Sequence, residues 1–225
     1  MGTKERRTRE RQETRELILD AAREMFADEG YESVTMRAIA EKIEYTPTAI
    51  YHHFENKQAL VTELCACDFQ ELAHHFRGQA VSVDPVLRIR AVGEAYLEFA
   101  EKHPSQYRFM FMTVLPELQM PEEYMKEAHG NPERDAYAYL RQACQEAIDS
   151  GRLRPEMRDA DQMAQILWGC VHGQIALRIV KRAENGQGKA EQHGAWVGWR
   201  DLRESTGLMM DMLLRGMLRE PGELS

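Results

Sequence analysis

Three observations on the 225-residue sequence predict an all-α fold. Apolar side chains recur at three- and four-residue spacing along most of the chain. Helix-starting pairs (Thr46-Pro47, Asp84-Pro85, Asn131-Pro132) alternate with stop signals at Gly30 and Ser150-Gly151. No strand-like alternation of any length separates them.

The first helix is expected over residues 12–28, where Leu17, Ile18, Ala21, Ala22, Met25 and Phe26 form one stripe and Gly30 supplies a C-terminal cap. Thr35 caps a second helix over 36–43, with Ile39, Ala40 and Ile43 on one face. Thr46 caps a third, and Pro47 takes its first position, where a missing N–H costs nothing. A helix this short is marginal alone, so Ile50 and Phe54, at i and i+4, must hold it by packing. Thr46, Thr48, Ala49, Tyr51, His52 and His53 then point outward, with no Lys, Arg, Asp or Glu among them. A rigidly mounted polar and aromatic tip suits insertion into a DNA major groove. Asn56 caps a longer helix over 57–76. Further helices are expected from Asp84-Pro85 to His103-Pro104, near 104–113, from Asn131-Pro132 to Ser150-Gly151, near 160–182 and near 196–219. Looser connections fall at 114–131 and at 184–194.

The segments Phe26-Ala-Asp-Glu-Gly30-Tyr31, Val34-Thr35-Met36-Arg37-Ala38-Ile39-Ala40 and Ala49-Ile50-Tyr51-His52-His53-Phe54, followed by Lys57, resemble the DNA-binding domain of the TetR family of transcriptional regulators. The resemblance covers residues 14–64 without a gap. It implies a helix-turn-helix DNA-binding domain at 12–57 with its motif at 35–54 and a helical ligand-binding and dimerisation domain at 58–225, preceded by residues 1–11, whose charges read as a basic flexible arm. It also implies that Arg37, Thr46, Pro47, Thr48, Ala49, Tyr51, His52 and His53 face a double-stranded DNA operator. Tyr51 is placed for a phosphate, Thr48 and Ala49 for base edges and thymine methyls. Lys57, in the first turn of the next helix, is expected to hold a phosphate together with that helix's N-terminus. The family often has Gly in the turn where this chain has Glu44, and a small apolar residue where it has Tyr45. Glu44 must therefore take a positive φ, or the turn must differ.

Net charge is −8, yet residues 1–15 carry Lys4, Arg6, Arg7, Arg9, Arg11 and Arg15 against Glu5, Glu10 and Glu13, a local balance of +3. Such an arm can lie along phosphates or enter a minor groove; the alternative is a solvated helix start. No run of about 18 apolar residues exists, so no membrane span is expected, and a charged N-terminus without an apolar signal region points to the cytoplasm. Cys65 and Cys67, near His74-His75, lack Cys-x-x-Cys spacing, and residues two apart on a helix do not share a face. No cofactor or metal is expected, and no nucleophile–base pair or Gly-rich phosphate loop suggests an enzyme.

Two late apolar stripes predict a homodimer: Met163, Ile166, Leu167, Cys170, Val171, Leu177 and Val180 on one helix, Leu202, Met209, Met212, Leu213 and Met217 on the other, with Gly169, Gly173 and Ala176 permitting close approach. Leu167-Trp168-Gly-Cys-Val-His172-Gly173 resembles a Trp-His-Gly signature of one subgroup of the family. Tyr96, Phe99, Tyr107, Phe111, Tyr137, Trp168 and His172 are candidate contacts for an unidentified, largely apolar small-molecule effector. The function expected is that of a repressor released from a palindromic operator by this effector. A ligand-independent architectural DNA-binding protein, or an enzyme using the C-terminal helices, is the alternative.

Overall fold

The computed structural model describes residues 3–118, 120, 122–186, 198–220 and 222. Among them run ten helices: α1 (Thr3–Glu29), α2 (Met36–Lys42), α3 (Pro47–Tyr51), α4 (Lys57–Gln79), α5 (Pro85–Lys102), α6 (Pro104–Met112), α7 (Glu122–Ala128), α8 (Ala136–Asp149), α9 (Ala160–Gly186) and α10 (Leu202–Met217). The one extended pairing among these residues is an antiparallel bridge between Leu153 and Leu218. No described helix is long and apolar enough to cross a membrane.

Several boundaries differ from expectation for local reasons. The expected arm at 1–11 is helical from residue 3, where i,i+4 pairs Arg6–Glu10 and Arg9–Glu13 support a segment with no apolar side chain. Within the expected connection at 114–131 lies α7. Helix α8 starts after Asp135, not at Asn131-Pro132, because the Asp135 carboxylate accepts from the Tyr137 and Ala138 N–H groups at 2.9 and 3.1 Å. Asp201 likewise caps α10 by accepting from Glu204 N–H at 2.8 Å. Its expected start at 196 lies outside the described residues, as does most of the expected connection at 184–194.

The chain forms two compact units, Met1–Glu71 with His103–Glu127, and Leu72–Lys102 with Ala128–Ser225. In the first, Ile18, Ala22 and Phe26 of α1 meet Ile39 of α2, Ile50 of α3, Phe54, and Leu60, Val61 and Leu64 of α4 in one core. Phe109 of α6 joins it, stacked on Phe26 at 6.0 Å between ring centroids. Each such fully buried side chain stabilises by about 1.5–3 kcal/mol, which holds α6 to this unit.

In the second unit α5, α8, α9 and α10 pack together. The backbone of α5 at Gly93 approaches α10 so closely that a Cβ there would stand 3.1 Å from Met210 Cε. This packing corrects the expected dimer face. Met163, Leu167, Val171 and Met217 are buried in their own chain, beside Ile89, Val92, Cys144, Met210 and Leu214. Helical spacing marks an apolar face but not whose helix covers it. Of the expected stripes, Ile166, Leu177 and Met212 face out, the last 67% exposed, with Leu208 beside them, while Met209 and Leu213 are half-buried.

Candidate nucleic-acid interface

Short sequence signals build the recognition element. Thr35 Oγ1 accepts from Ala38 N–H at 3.1 Å and starts α2. Its end is a paired-turn C-cap: Glu44 N–H donates to Glu41 C=O at 3.2 Å and Tyr45 N–H to Ala40 C=O at 2.9 Å. This arrangement needs a left-handed residue, and Glu44 adopts it, with φ 60°. Of the two possibilities the sequence left, the positive φ is the one realised. Thr46 Oγ1 then accepts from Ala49 N–H at 3.3 Å, and Pro47 opens α3. Ile50 and Phe54 are buried, so the helix is seated by its inner side.

The outward side carries Thr46, Pro47, Thr48, Tyr51 and His52, all exposed, with Ala49 half-buried between them. These side chains supply hydroxyl, imidazole and aromatic groups but no carboxylate or ammonium. Arg37 is exposed at the start of α2, and its Nε donates to Glu41 at 2.8 Å.

Two expected DNA contacts are placed otherwise. His53 is half-buried: its carbonyl accepts from Arg15 Nη1 at 2.8 Å, and its ring Nδ1 is enclosed with no hydrogen-bond partner among the described residues. Burial, then the positive charges of Arg11, Arg15 and His52, hold its pKa below the ordinary histidine value. Lys57 is turned inward. Its Nζ donates to the Tyr31 and Val34 carbonyls at 2.5 and 2.7 Å and sits 4.0 Å over the Tyr31 ring, so it closes the α1–α2 loop. Arg15, read in the sequence as part of a basic cluster, pairs bidentately with Glu63 through Nε and Nη2 and lies over Phe54.

A buried polar cluster in the same unit escaped the sequence reading. Asp68 of α4 is fully buried and receives Arg23 of α1 at 2.8–3.1 Å and Gln106 Nε2 of α6 at 3.1 Å. Burial outweighs Arg23, and with the charge of Glu71 raises the Asp68 pKa to about 6. The signal was available: Asp68 falls in phase with Leu60, Val61, Leu64, Cys65 and Leu72 on the inner stripe of α4. Cys65 in that stripe is buried, and its thiol is pushed up to about 12, first by burial and then by Asp68. Among the described residues, no group of three or more His, Cys, Asp or Glu side chains is placed to hold a metal ion.

The seven candidate effector contacts divide. In the second unit Tyr96, Trp168 and His172 converge: the Tyr96 hydroxyl lies 3.1 Å from His172 Nδ1 and accepts from Trp168 Nε1 at 3.2 Å. Tyr137 donates to Asp161 at 3.0 Å, and Phe99 is fully buried beside His75. Tyr107 and Phe111 belong to the first unit, their rings 5.2 Å apart, and Tyr107 is fully buried as core.

Comparison with known proteins places residues 18–64 in the family described as "Bacterial regulatory proteins, tetR family" and residues 89–193 in "Tetracyclin repressor-like, C-terminal domain". A 68-residue stretch is 40% identical to the HTH-type transcriptional regulator UidR of Escherichia coli (strain K12), covering 30% of this chain. The chain spans 35% of the length of that curated relative. Two solved structures share the fold. A TetR family transcription regulator from Marinobacter aquaeolei VT8 superposes with TM-score 0.67 at 16% identity, over 94% of this chain and 98% of that one. The fatty acid degradation regulator FadR from Bacillus halodurans does so with TM-score 0.67 at 15% identity, over 90% and 98%.

Proposed function

The chain belongs to the TetR family of bacterial regulatory proteins, and from that premise we propose that it is a homodimeric transcriptional regulator, a repressor released from a pseudo-palindromic operator by a small molecule. The α2–α3 element carries the reading. An uncharged recognition helix, seated by Ile50 and Phe54, presents Thr46, Pro47, Thr48, Tyr51 and His52 to solvent. Groups of this kind discriminate base edges by hydrogen bonds and methyl contacts rather than by bulk charge. Thr48 and Ala49 meet bases, the Tyr51 hydroxyl and Arg37 meet phosphates, and the partly enclosed His53 orients the end of the helix.

Residues 12–57 read DNA in this proposal, and residues 58–225 supply dimerisation and effector binding. One recognition helix reads few bases, and a twofold dimer doubles them. The exposed stripe Ile166, Leu177, Leu208 and Met212 supports that dimer, with the half-buried Met209 and Leu213 at its margin. At Gly169 and Gly173 an added Cβ would meet nothing within 4 Å, so a second helix has room to approach. The Tyr96–Trp168–His172 corner is the polar anchor we assign to a largely apolar effector. The effector acts by binding better to a dimer whose recognition helices stand apart from the roughly 34–36 Å of one DNA turn. No catalysis is involved, and the cytoplasm, where such DNA lies, is the site of action.

Selection of bound duplexes from a random-sequence pool, followed by a screen for compounds that release the selected site, tests the reading. A single palindromic consensus is expected. Sequence-blind recovery would sink it.

A further inference from the structure

The first turns of α1 carry their charges sorted by face. At 3.6 residues per turn, Lys4, Arg7, Thr8, Arg11 and Arg15 fall within about 100° of one another, and Arg6, Arg9, Glu10 and Glu13 fill the opposite side. On that opposite side the charges cancel in pairs, Arg6 with Glu10 at 3.3 Å and Arg9 with Glu13 at 3.4 Å. Lys4, Arg7 and Arg11 have no carboxylate partner among the described residues. Together with Thr8, whose hydroxyl donates to the Lys4 carbonyl at 3.1 Å, they frame an open groove of about 430 Å³.

No apolar side chain occurs between Thr3 and Glu16, so these turns bury nothing in a core. A helix polar all round is held by its i,i+4 pairs rather than by a core, so its basic face is left open to a partner. The direction of its basic face is fixed by Arg15, in phase with Lys4 and Arg11, which donates to the His53 carbonyl just past α3. The stripe therefore leads into the edge of the recognition element.

We propose that Lys4, Arg7 and Arg11 form a rigid phosphate-binding ridge that grips duplex DNA beside the stretch read by α3. This rests on the DNA-reading role of α3 and adds a second contact surface to it. From Lys4 to Arg11 the helix rises about 10 Å, at 1.5 Å per residue. One DNA strand sets about three phosphates in that distance, at 3.4 Å of axis each. Three cations on a fixed helical face thus meet successive phosphates without first paying the ordering entropy of a flexible arm.

Binding of the full-length protein is measured against salt concentration, on the selected site and on a duplex of unrelated sequence. The triple substitution Lys4→Gln/Arg7→Gln/Arg11→Gln is expected to flatten the slope of log K against log salt by about 2.7 for each bound chain. Binding weakens on both duplexes and the consensus stays the same. Arg6→Gln/Arg9→Gln, on the opposite face, leaves the slope unchanged. Gln is a good helix former, so the triple variant retains α1 by circular dichroism; Arg7→Lys/Arg11→Lys, which keeps the charges, retains the wild-type slope. Equal flattening by the opposite-face pair, or none by the triple variant, overturns the ridge. Loss of sequence preference in the wild type would instead strike the role of α3, and the slope on the unrelated duplex would still report on the ridge.

Discussion

Replacing Lys57 by Met is expected to loosen the DNA-reading unit rather than to weaken phosphate binding. The ammonium donates to the carbonyls of Tyr31 and Val34 at 2.5 and 2.7 Å and rests over the Tyr31 ring. Hydrogen bonds to a charged group are worth about 1.5–3 kcal/mol each, and a cation over an aromatic face about 0.5–1 kcal/mol. Lys57 is half-buried, so water replaces part of what is lost, and the variant no longer desolvates an ammonium. A net loss of about 2–3 kcal/mol follows. It falls on residues 31–35, which lead to the Thr35 cap of α2. Because the chain has two units, a single unfolding free energy is poorly defined for it. Amide hydrogen exchange over residues 31–38 is the sharper readout, and protection there should drop about thirtyfold or more, at 1.4 kcal/mol per factor of ten. The salt slope of DNA binding should stay as in the wild type. Unchanged protection together with a slope flattened by about 0.9 would show the ammonium on a phosphate and refute this placement.

Four further outcomes are expected. Thr48→Val, which keeps shape and removes the hydroxyl, should cost roughly 1–3 kcal/mol on the selected operator and nothing on unrelated duplex; identical titrations on both would remove Thr48 from base readout. Glu44→Gly should stabilise the unit by roughly 0.5–1 kcal/mol in urea unfolding, since relief of about 1–2 kcal/mol at a left-handed residue exceeds the added unfolded-state entropy of Gly; a loss of stability would mean that the Glu44 side chain contributes more than its backbone costs. Leu208→Glu/Met212→Glu should give folded monomers in sedimentation, whereas Leu167→Ala, in the core, should cost about 2–5 kcal/mol of stability; dimers surviving the double substitution would exclude the outward face of α10. Asp68, with its pKa raised to about 6 from an ordinary 3.8, holds a proton in the folded chain that the unfolded chain releases, so its stabilisation is complete below pH about 4 and lost as pH rises through 6. Relative to Asp68→Asn, the wild type should lose about 3 kcal/mol across that window, and parallel stability–pH curves would contradict it.

What the sequence made legible was local. Caps, prolines and stop glycines act within four residues of themselves, so Thr35, Thr46-Pro47 and Gly30 located their helix ends directly. The forced conformation at Glu44 was readable for the same reason. Long-range choices were not. A basic residue looks alike in sequence whether it meets a phosphate or a carbonyl, and Lys57 was decided by a loop more than twenty residues away. An apolar stripe looks alike whether its own chain or a second copy covers it; hence Met163, Leu167, Val171 and Met217 were taken for an interface although their own chain buries them, and Leu208 was passed over. Phe109 gave no sign of its partner either, because α6 reaches the first core across the intervening α5.

If, as proposed, this acidic chain reads DNA, it must place its cations sparingly, and the first unit shows where they go. Arg15 serves Glu63, Arg23 serves Asp68, Lys42 pairs with Glu24, Arg108 with Asp28, and Lys57 closes a loop. Arg37 is shared with Glu41. Among the described residues, Lys4, Arg7 and Arg11 are the cations of this unit left without a partner group. Three such cations with Arg37 on each of two chains release counterions with a slope of about −7, still shallow beside the −10 of a strongly charge-driven binder. A small electrostatic share leaves little affinity for arbitrary sequence, so discrimination must come from the hydroxyl, imidazole and methyl groups of α3. On the proposed reading, the uncharged helix α3 and the sorted basic face are two halves of one device: the ridge sets register on the backbone, and α3 decides whether the bases beneath it are the right ones.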